Sequence, residues 1–259
     1  MRYVVLSFDD GRKDFFTQAF PILQKYGLPA TLNVITNYAD DTTQHNSALL
    51  GSMSWPDLET CRNHGIEIAN HSANHTNQIS EIIRGAKRLQ SQFHSGEAFG
   101  FSSPFSGICK KNLKEWIPLI DDGILCYIRS GNPLRQQNFY YKLLYFLYRF
   151  TNSSWAYYLF NKRNYIPLSR IDQHFLFPSI TCNKDNSIEQ LFFFLEKMPD
   201  NTASIIMLHS VLPEDQKIIR YGKWSHSLSE FEQICAYLSE NSKFQVVTNK
   251  TLFHYLLQC

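Results

Sequence analysis

No stretch of this sequence reaches the ~18 consecutive apolar residues that a membrane-spanning helix needs, so no segment is expected to cross a bilayer. The opening Met1-Arg2-Tyr3-Val4-Val5-Leu6-Ser7-Phe8 lacks the apolar length and the small-residue cleavage pattern of a secretory signal. The six cysteines (Cys61, Cys109, Cys126, Cys182, Cys235 and Cys259) include no Cys-x-x-Cys pair and are expected to be reduced, mostly buried thiols. These absences together predict a cytoplasmic protein whose association with a membrane, if any, is peripheral. An excess of one charge is also missing: 25 basic against 23 acidic residues leave a net charge of +2 over 259 residues, which gives no argument for a nucleic-acid partner. There is no internal repeat. A hydrophobic share of 44% with 19% charged residues excludes a largely disordered, collagenous or coiled-coil chain.

What is present is alternation. Apolar runs rich in β-formers predict strands over 3–8, 30–35, 66–69, 98–102, 124–129, 203–208 and 244–248. Helical patterns over 14–26, 55–64, 79–93, 110–120, 188–197 and 228–239 fall between or beside them. Ser54, Ser187 and Ser227 are N-cap candidates, the last two in Ser-x-x-Gln and Ser-x-x-Glu capping boxes. Strand–helix alternation predicts an α/β chain with parallel pairing, and apolar strands near both ends favour one closed or nearly closed barrel over residues 1–259. One segment departs from this pattern. Residues 138–165 hold 12 of the 38 aromatic residues, interspersed with Lys142, Arg149, Lys162 and Arg163. They read as a helical insert, bounded at 132–166, packed on the barrel or a second subunit, or covering one side of the barrel mouth and meeting a membrane surface or the substrate's carrier.

Four short patterns follow predicted strands at the same end: Asp9-Asp10-Gly11, His71-Ser72-Ala73-Asn74-His75, Ser102-Ser103-Pro104-Phe105 and His209. Each has a structural alternative: a turn, a pair of polar surface histidines, or a hydrogen-bonded core histidine. Their shared position is what argues for chemistry, because barrel enzymes collect catalytic groups at the C-terminal ends of their strands. Asp10, His71 and His75 would make a two-histidine, one-carboxylate metal set, suited to zinc and also to cobalt, nickel, manganese or iron. Asp9 is then left as a base and His209 as an acid.

On these residues the sequence resembles carbohydrate esterase family 4, the polysaccharide deacetylases (the nodulation-factor deacetylase homology domain). Ser7-Phe8-Asp9-Asp10-Gly11 is similar to the family's first motif, His71 to His75 to its second and Leu208-His209 to its fifth. The resemblance implies a distorted (β/α) barrel of about seven parallel strands with the aromatic-rich helical insert. It also implies hydrolysis of an N-acetyl group on an amino sugar. In such a site Asp9 is the general base, Asp10, His71 and His75 hold the metal, His209 protonates the departing amine, and the backbone N–H of Phe105, after Pro104, helps hold the oxyanion. The third motif departs from the pattern: Ser102 stands where an arginine usually pairs with the catalytic aspartate, and Phe105 replaces the usual tyrosine. The fourth motif is not recognisable. Pro167-Leu168-Ser169-Arg170-Ile171-Asp172 loosely resembles a late element of one subgroup, which makes Arg170 the candidate partner of Asp9.

The expected partner is thus an N-acetylated amino sugar, on a nucleotide or lipid carrier and destined for a surface polysaccharide. Deformylation of a lipid-linked formamido sugar is the alternative chemistry. A non-catalytic saccharide-binding barrel that kept the metal site is the alternative class. A homodimer and a peripheral membrane contact through 138–165 are the two further partner expectations.

Overall fold

The structure, a computed structural model, describes residues 1–41, 51–106, 110–131, 139–169, 176–183, 186–214 and 224–258. Its strands, in chain order, are β1 (Arg2–Phe8), β2 (Ala30–Val34), β3 (Ile66–Asn70), β4 (Phe99–Ser102), β5 (Leu125–Ser130), β6 (Ile166–Pro167), β7 (Leu176–Thr181), β8 (Thr202–Leu208), β9 (Ser210–Leu212), β10 (Ser225–Ser227) and β11 (Phe244–Val246). Its helices are α1 (Phe20–Lys25), α2 (Thr36–Asp40), α3 (Trp55–Asn63), α4 (Ile79–Gln92), α5 (Lys110–Asp121), α6 (Phe139–Phe150), α7 (Ser154–Asn161), α8 (Ile188–Glu196), α9 (Leu228–Glu240) and α10 (Asn249–Leu257). Strands β1, β2, β3, β4, β5, β7 and β8 pair in parallel, and β8 returns to β1 in continuous register from Arg2↔Thr202 to Phe8↔Leu208. The result is a closed barrel of seven parallel strands with helices outside.

Two expectations about the strands change. The run 244–248 forms β11 but does not close the barrel. It lies beside the first half of β1, from Arg2↔Phe244 to Val4↔Val246, while β2 meets β1 only at Ser7 and Phe8. That wedge between β1 and β2 distorts the barrel. The seventh barrel strand is instead β7, Leu176-Phe177-Pro178-Ser179-Ile180-Thr181, which the sequence reading passed over. A proline inside an apolar run argues against a central strand. Here Pro178 sits where the pairing changes sides: Leu176 to Pro178 face β5, and Ser179 to Thr181 face β8. The helical stripe over 14–26 also divides, into a π-type turn at Phe15–Ala19 and then α1, because Pro21 offers no N–H to continue the first segment.

The N-caps follow the sequence. Ser54, Ser187 and Ser227 accept hydrogen bonds from the backbone N–H three residues on, and Asp57, Gln190 and Glu230 close reciprocal capping boxes. Cys61, Cys126, Cys182 and Cys235 are buried free thiols.

Strand alternation explains where the site lies. On β1, Val4, Leu6 and Phe8 face the helix layer, while Val5 and Ser7 face the barrel interior. The interior is layered along the barrel axis. Val5, Tyr127, Phe177 and Ile205 join Leu252 and Leu256 of α10 in an apolar floor. One inward step further along the strands, Ser7, Arg129 and Ser179 are buried polar groups joined, with Asn33 and Ser102, in one hydrogen-bond network. This polar layer underlies the C-terminal end of the barrel.

Candidate metal centre and active site

The chain turns sharply as each site strand ends. Asp10 (φ 78°), Ser72 (φ 63°), His75 (φ 55°) and Phe105 (φ 58°) all adopt the left-handed backbone that L-residues other than Gly, Asn and Asp rarely visit. They are four of the seven non-glycine residues with positive φ among the described residues. Strain gathered in this way is found where surrounding structure over-determines a functional arrangement.

The turn after β1 carries Asp9 and Asp10 in different directions. Oδ1 of Asp10 lies 3.5 Å from Nε2 of both His71 and His75. The three donor atoms all fall within 4.8 Å of one another. Nδ1 of His71 is 2.8 Å from the carbonyl of Ser102 and donates to it, which turns Nε2 toward Asp10. The other carboxylate oxygen of Asp10 accepts two hydrogen bonds from Arg12, at 2.6 and 2.9 Å. Two imidazoles and one carboxylate oxygen, converging at the end of the barrel, fit a divalent transition metal. Burial opposes charge on Asp10, but Arg12 and His71 overcome it and hold the carboxyl well below the usual range. Burial and then the neighbouring His71 lower His75 to about 4, which keeps it in the form a metal requires.

Asp9 points into the polar layer. Nη2 of Arg129 lies 2.5 and 2.7 Å from its two oxygens, and Nδ2 of Asn33 donates to Oδ1 at 2.8 Å. Burial raises the pKa of Asp9, but Arg129, His71 and His209 together carry it below its ordinary value. Arg129 is itself held at both ends: Nε donates to the Ser102 hydroxyl at 2.8 Å and Nη1 to the Ser179 hydroxyl at 3.3 Å. Ser102 donates onward to Asn33 at 2.6 Å. The residue that stands where an arginine was expected therefore helps position an arginine that arrives from the next strand. Arg170, the sequence candidate for this contact, lies outside the described residues.

His209 follows β8 as expected. Its Nδ1 has no hydrogen-bond partner among the described residues, and its ring lies 5.0 Å from that of Trp224. Burial lowers its pKa to about 4 against the pull of Asp10 and Asp9. Phe105 is 78% exposed, with its ring 4.5 Å from that of His75, and the Pro104 carbonyl before it accepts from Asn77 at 3.0 Å.

The sequence reading missed Arg129, Asn33, Arg12 and Asp14. Asp14 accepts from the Ser210 hydroxyl and the Val211 N–H, next to His209. For Arg129 a signal existed: a cation inside the apolar run Ile124-Leu125-Cys126-Tyr127-Ile128-Arg129 must find a carboxylate if the strand is buried.

Residues 1–96 match the sequence profile of the polysaccharide deacetylase family. Over those residues the chain is similar to polysaccharide deacetylases. Among curated relatives, this chain is 45% identical over 49 residues to the poly-β-1,6-N-acetyl-D-glucosamine N-deacetylase of Staphylococcus epidermidis, covering 19% of this chain and 17% of that one. It is 29% identical over 99 residues to the putative polysaccharide deacetylase YxkH of Bacillus subtilis, covering 35% and 33%. The matched region spans at most a third of either relative. Solved structures extend the likeness of fold to nearly the whole chain. The Bc1960 peptidoglycan N-acetylglucosamine deacetylase aligns with a TM-score of 0.53 at 15% identity, over 97% of this chain and 88% of that one. A family 4 acetyl xylan esterase from Clostridium thermocellum, determined with a cobalt ion, aligns at 0.52 and 18%, over 97% and 90%. Asp10, His71 and His75 form the candidate metal site of this chain.

Proposed function

We propose that this protein is a metal-dependent hydrolase that removes the N-acetyl group from an amino sugar. One observation carries the reading. A carboxylate kept ionised, Asp9, stands beside a separate Asp10–His71–His75 donor set at the same end of the barrel. A non-catalytic saccharide-binding barrel would have no use for Asp9 buried against Arg129. The relatives named above, a poly-β-1,6-N-acetyl-D-glucosamine N-deacetylase among them, support the amino-sugar class.

The metal, most simply zinc and otherwise cobalt, nickel, manganese or iron, would polarise the amide carbonyl and lower the pKa of water. The protein supplies the rest. Asp10, His71 and His75 hold the ion. Asp9 takes the proton of the attacking water, and Arg129 and Asn33 fix its carboxylate so that none of this orientation is assembled during the reaction. The backbone N–H of Phe105, after Pro104, donates to the amide oxygen as negative charge develops there. His209 delivers a proton to the nitrogen of the departing amine. Burial holds it neutral in the resting site, so it must first take up a proton. The exposed ring of Phe105 offers an apolar face to a sugar ring.

The finer reading is a sugar carried on a lipid or nucleotide phosphate. It draws on the segment 123–171, which holds six Lys or Arg besides the buried Arg129 and no Asp or Glu, and so suits an anionic carrier. The test is mass spectrometry of N-acetylated glucosamine oligomers, nucleotide-linked and lipid-linked acetamido sugars, and formamido sugars after incubation with zinc-loaded protein. Loss of one acetyl group from a member of the panel is expected. Loss of formyl alone would move the reading to a deformylase, and no change in any substrate would overturn it.

A further inference from the structure

Helix α6 is apolar on two opposite sides. Tyr141, Leu144 and Tyr148, spaced by three and four residues, are buried inward. Tyr141 packs edge-on and Tyr148 at a tilt against Phe160 of α7, and the Tyr148 carbonyl accepts from Gln190 in the first turn of α8 at 2.7 Å. Phe139, Leu143, Phe146 and Phe150, spaced by four, three and four, make a second stripe about 180° away around the helix at ~100° per residue. That outer stripe is exposed: Phe139 by 80%, Phe146 by 53% and Phe150 by 67%. Trp155 of α7 adds a further exposed ring, 57% accessible. The inner side accounts for the folding of the insert and leaves four large apolar side chains in a row with no packing role among the described residues. A contiguous exposed row of this kind marks an interaction surface.

Charge identifies the partner. Lys142 and Arg149 are both exposed on one flank of the outer stripe. The Arg149 guanidinium lies 5.7 Å from the Phe150 ring, and Lys197 lies 5.1 Å from the Trp155 ring. Between Gly123 and Ile171 the sequence has no acidic residue. A second copy of the chain is a poor match, because a two-fold contact would set the stripe and its cations against themselves with no carboxylate to receive them. Phospholipid headgroups with a net negative charge are a good match: aromatic rings settle at the headgroup–acyl boundary while lysine and arginine reach the phosphates.

We propose that the outer face of α6, together with Trp155, docks this protein on the surface of an anionic lipid bilayer. The helix lies along the surface and does not cross it, since no helix among the described residues is long and apolar enough to span a membrane. Because the platform beneath it is packed onto α7 and α8, the face is preformed and needs no refolding on contact.

Co-sedimentation with phosphatidylglycerol/phosphatidylcholine vesicles and with pure phosphatidylcholine vesicles tests this, with no substrate or activity involved. Its outcome is therefore independent of the deacetylase reading. The wild-type protein is expected to sediment with the anionic vesicles at low salt and much less with the neutral ones. Phe139→Ser/Phe146→Ser/Phe150→Ser should keep the wild-type Tm, because all three rings are exposed, and lose about tenfold or more in partitioning. Lys142→Glu/Arg149→Glu, which keeps all four side chains of the outer stripe, should lose the preference for anionic vesicles. Failure of the wild-type protein to sediment at low salt would overturn the proposal. So would triple-variant binding equal to wild type, or a wild-type dimer that the triple variant dissociates without any vesicle binding; the last result would make the stripe a self-association face.

Discussion

Arg129 shows how a single side chain can be essential to a site yet nearly invisible in the sequence. It lies 120 residues from Asp9 in the chain and reaches it across the barrel interior. Asp9, Asp10, His71, His75 and His209 were legible because each follows a strand directly and carries chemistry that a plain turn does not need. Arg129 ends an apolar run and looks like the edge of a strand. Only the closed barrel shows that its side chain points inward. Arg129→Lys keeps the charge but not the planar fork that spans Asp9, Ser102 and Ser179, and should lower kcat by about tenfold or more with metal content unchanged. Arg129→Ala leaves Asp9 buried and unpaired and should cost about 3–5 kcal/mol of stability as well. Steady-state hydrolysis, elemental analysis and urea unfolding read these three quantities, and a lysine variant of full activity would remove the positioning role.

Asp14, beside His209, offers a test read by stability rather than by rate. Burial raises its pKa to about 6, and Arg12, Val211 and Ser210 offset only part of that rise. A carboxyl whose pKa rises on folding binds its proton more readily in the folded state. Its contribution to stability is therefore best below the ordinary carboxylate pKa and worsens as pH climbs through about 6. Asp14→Asn keeps an acceptor for the Val211 N–H and removes the titration. It should gain on the order of 2 kcal/mol over wild type at pH 7.5 and close to nothing at pH 4. An equal difference at both pH values, by urea unfolding, would contradict the assignment.

Among the elements, α4 matters most for the second motif. Asn70, at the end of β3, uses Oδ1 to accept from the Ser72 N–H and Nδ2 to donate to the Ile82 carbonyl on α4. This contact tethers the turn that carries His71. Gly85 of α4 makes it possible, because a Cβ there would stand 2.3 Å from Asn70 Oδ1 and 3.0 Å from the backbone of Ser72. Gly85→Ala should therefore cost about 1–3 kcal/mol and weaken metal binding too, although residue 85 touches no ligand. Calorimetry and metal titration check the two effects, and unchanged metal affinity would show that the turn tolerates the shift. The sequence revealed α4 through its apolar period, but Gly85 drew no notice, since the clash it avoids involves a loop that is distant in sequence. The same limit hid β7. Pro178 counts against a strand locally, and only the change of partner from β5 to β8 at that residue makes it acceptable.

For the whole molecule, the inward steps Val5 to Ser7, Tyr127 to Arg129 and Phe177 to Ser179 divide the barrel into an apolar floor and a polar layer under the site. The alternating architecture was readable from runs of β-formers and capped helices, but this layering depends on closure through β8 and β1, which no local pattern encodes. A metal that binds only the folded barrel should stabilise it by about 3 kcal/mol at a hundredfold excess over Kd. Chelation should lower the Tm of the wild-type protein and leave that of His71→Ala/His75→Ala unmoved; an equal response in both would place the metal elsewhere. The central claim is narrower: Asp9 is the base beside the Asp10–His71–His75 centre. Its most direct test is the rate of amine release from an N-acetylated amino sugar that the wild-type protein hydrolyses, compared with Asp9→Asn at matched zinc content. We predict a loss of ~10² or more in kcat. Equal rates in the two proteins, with equal zinc bound, would contradict it.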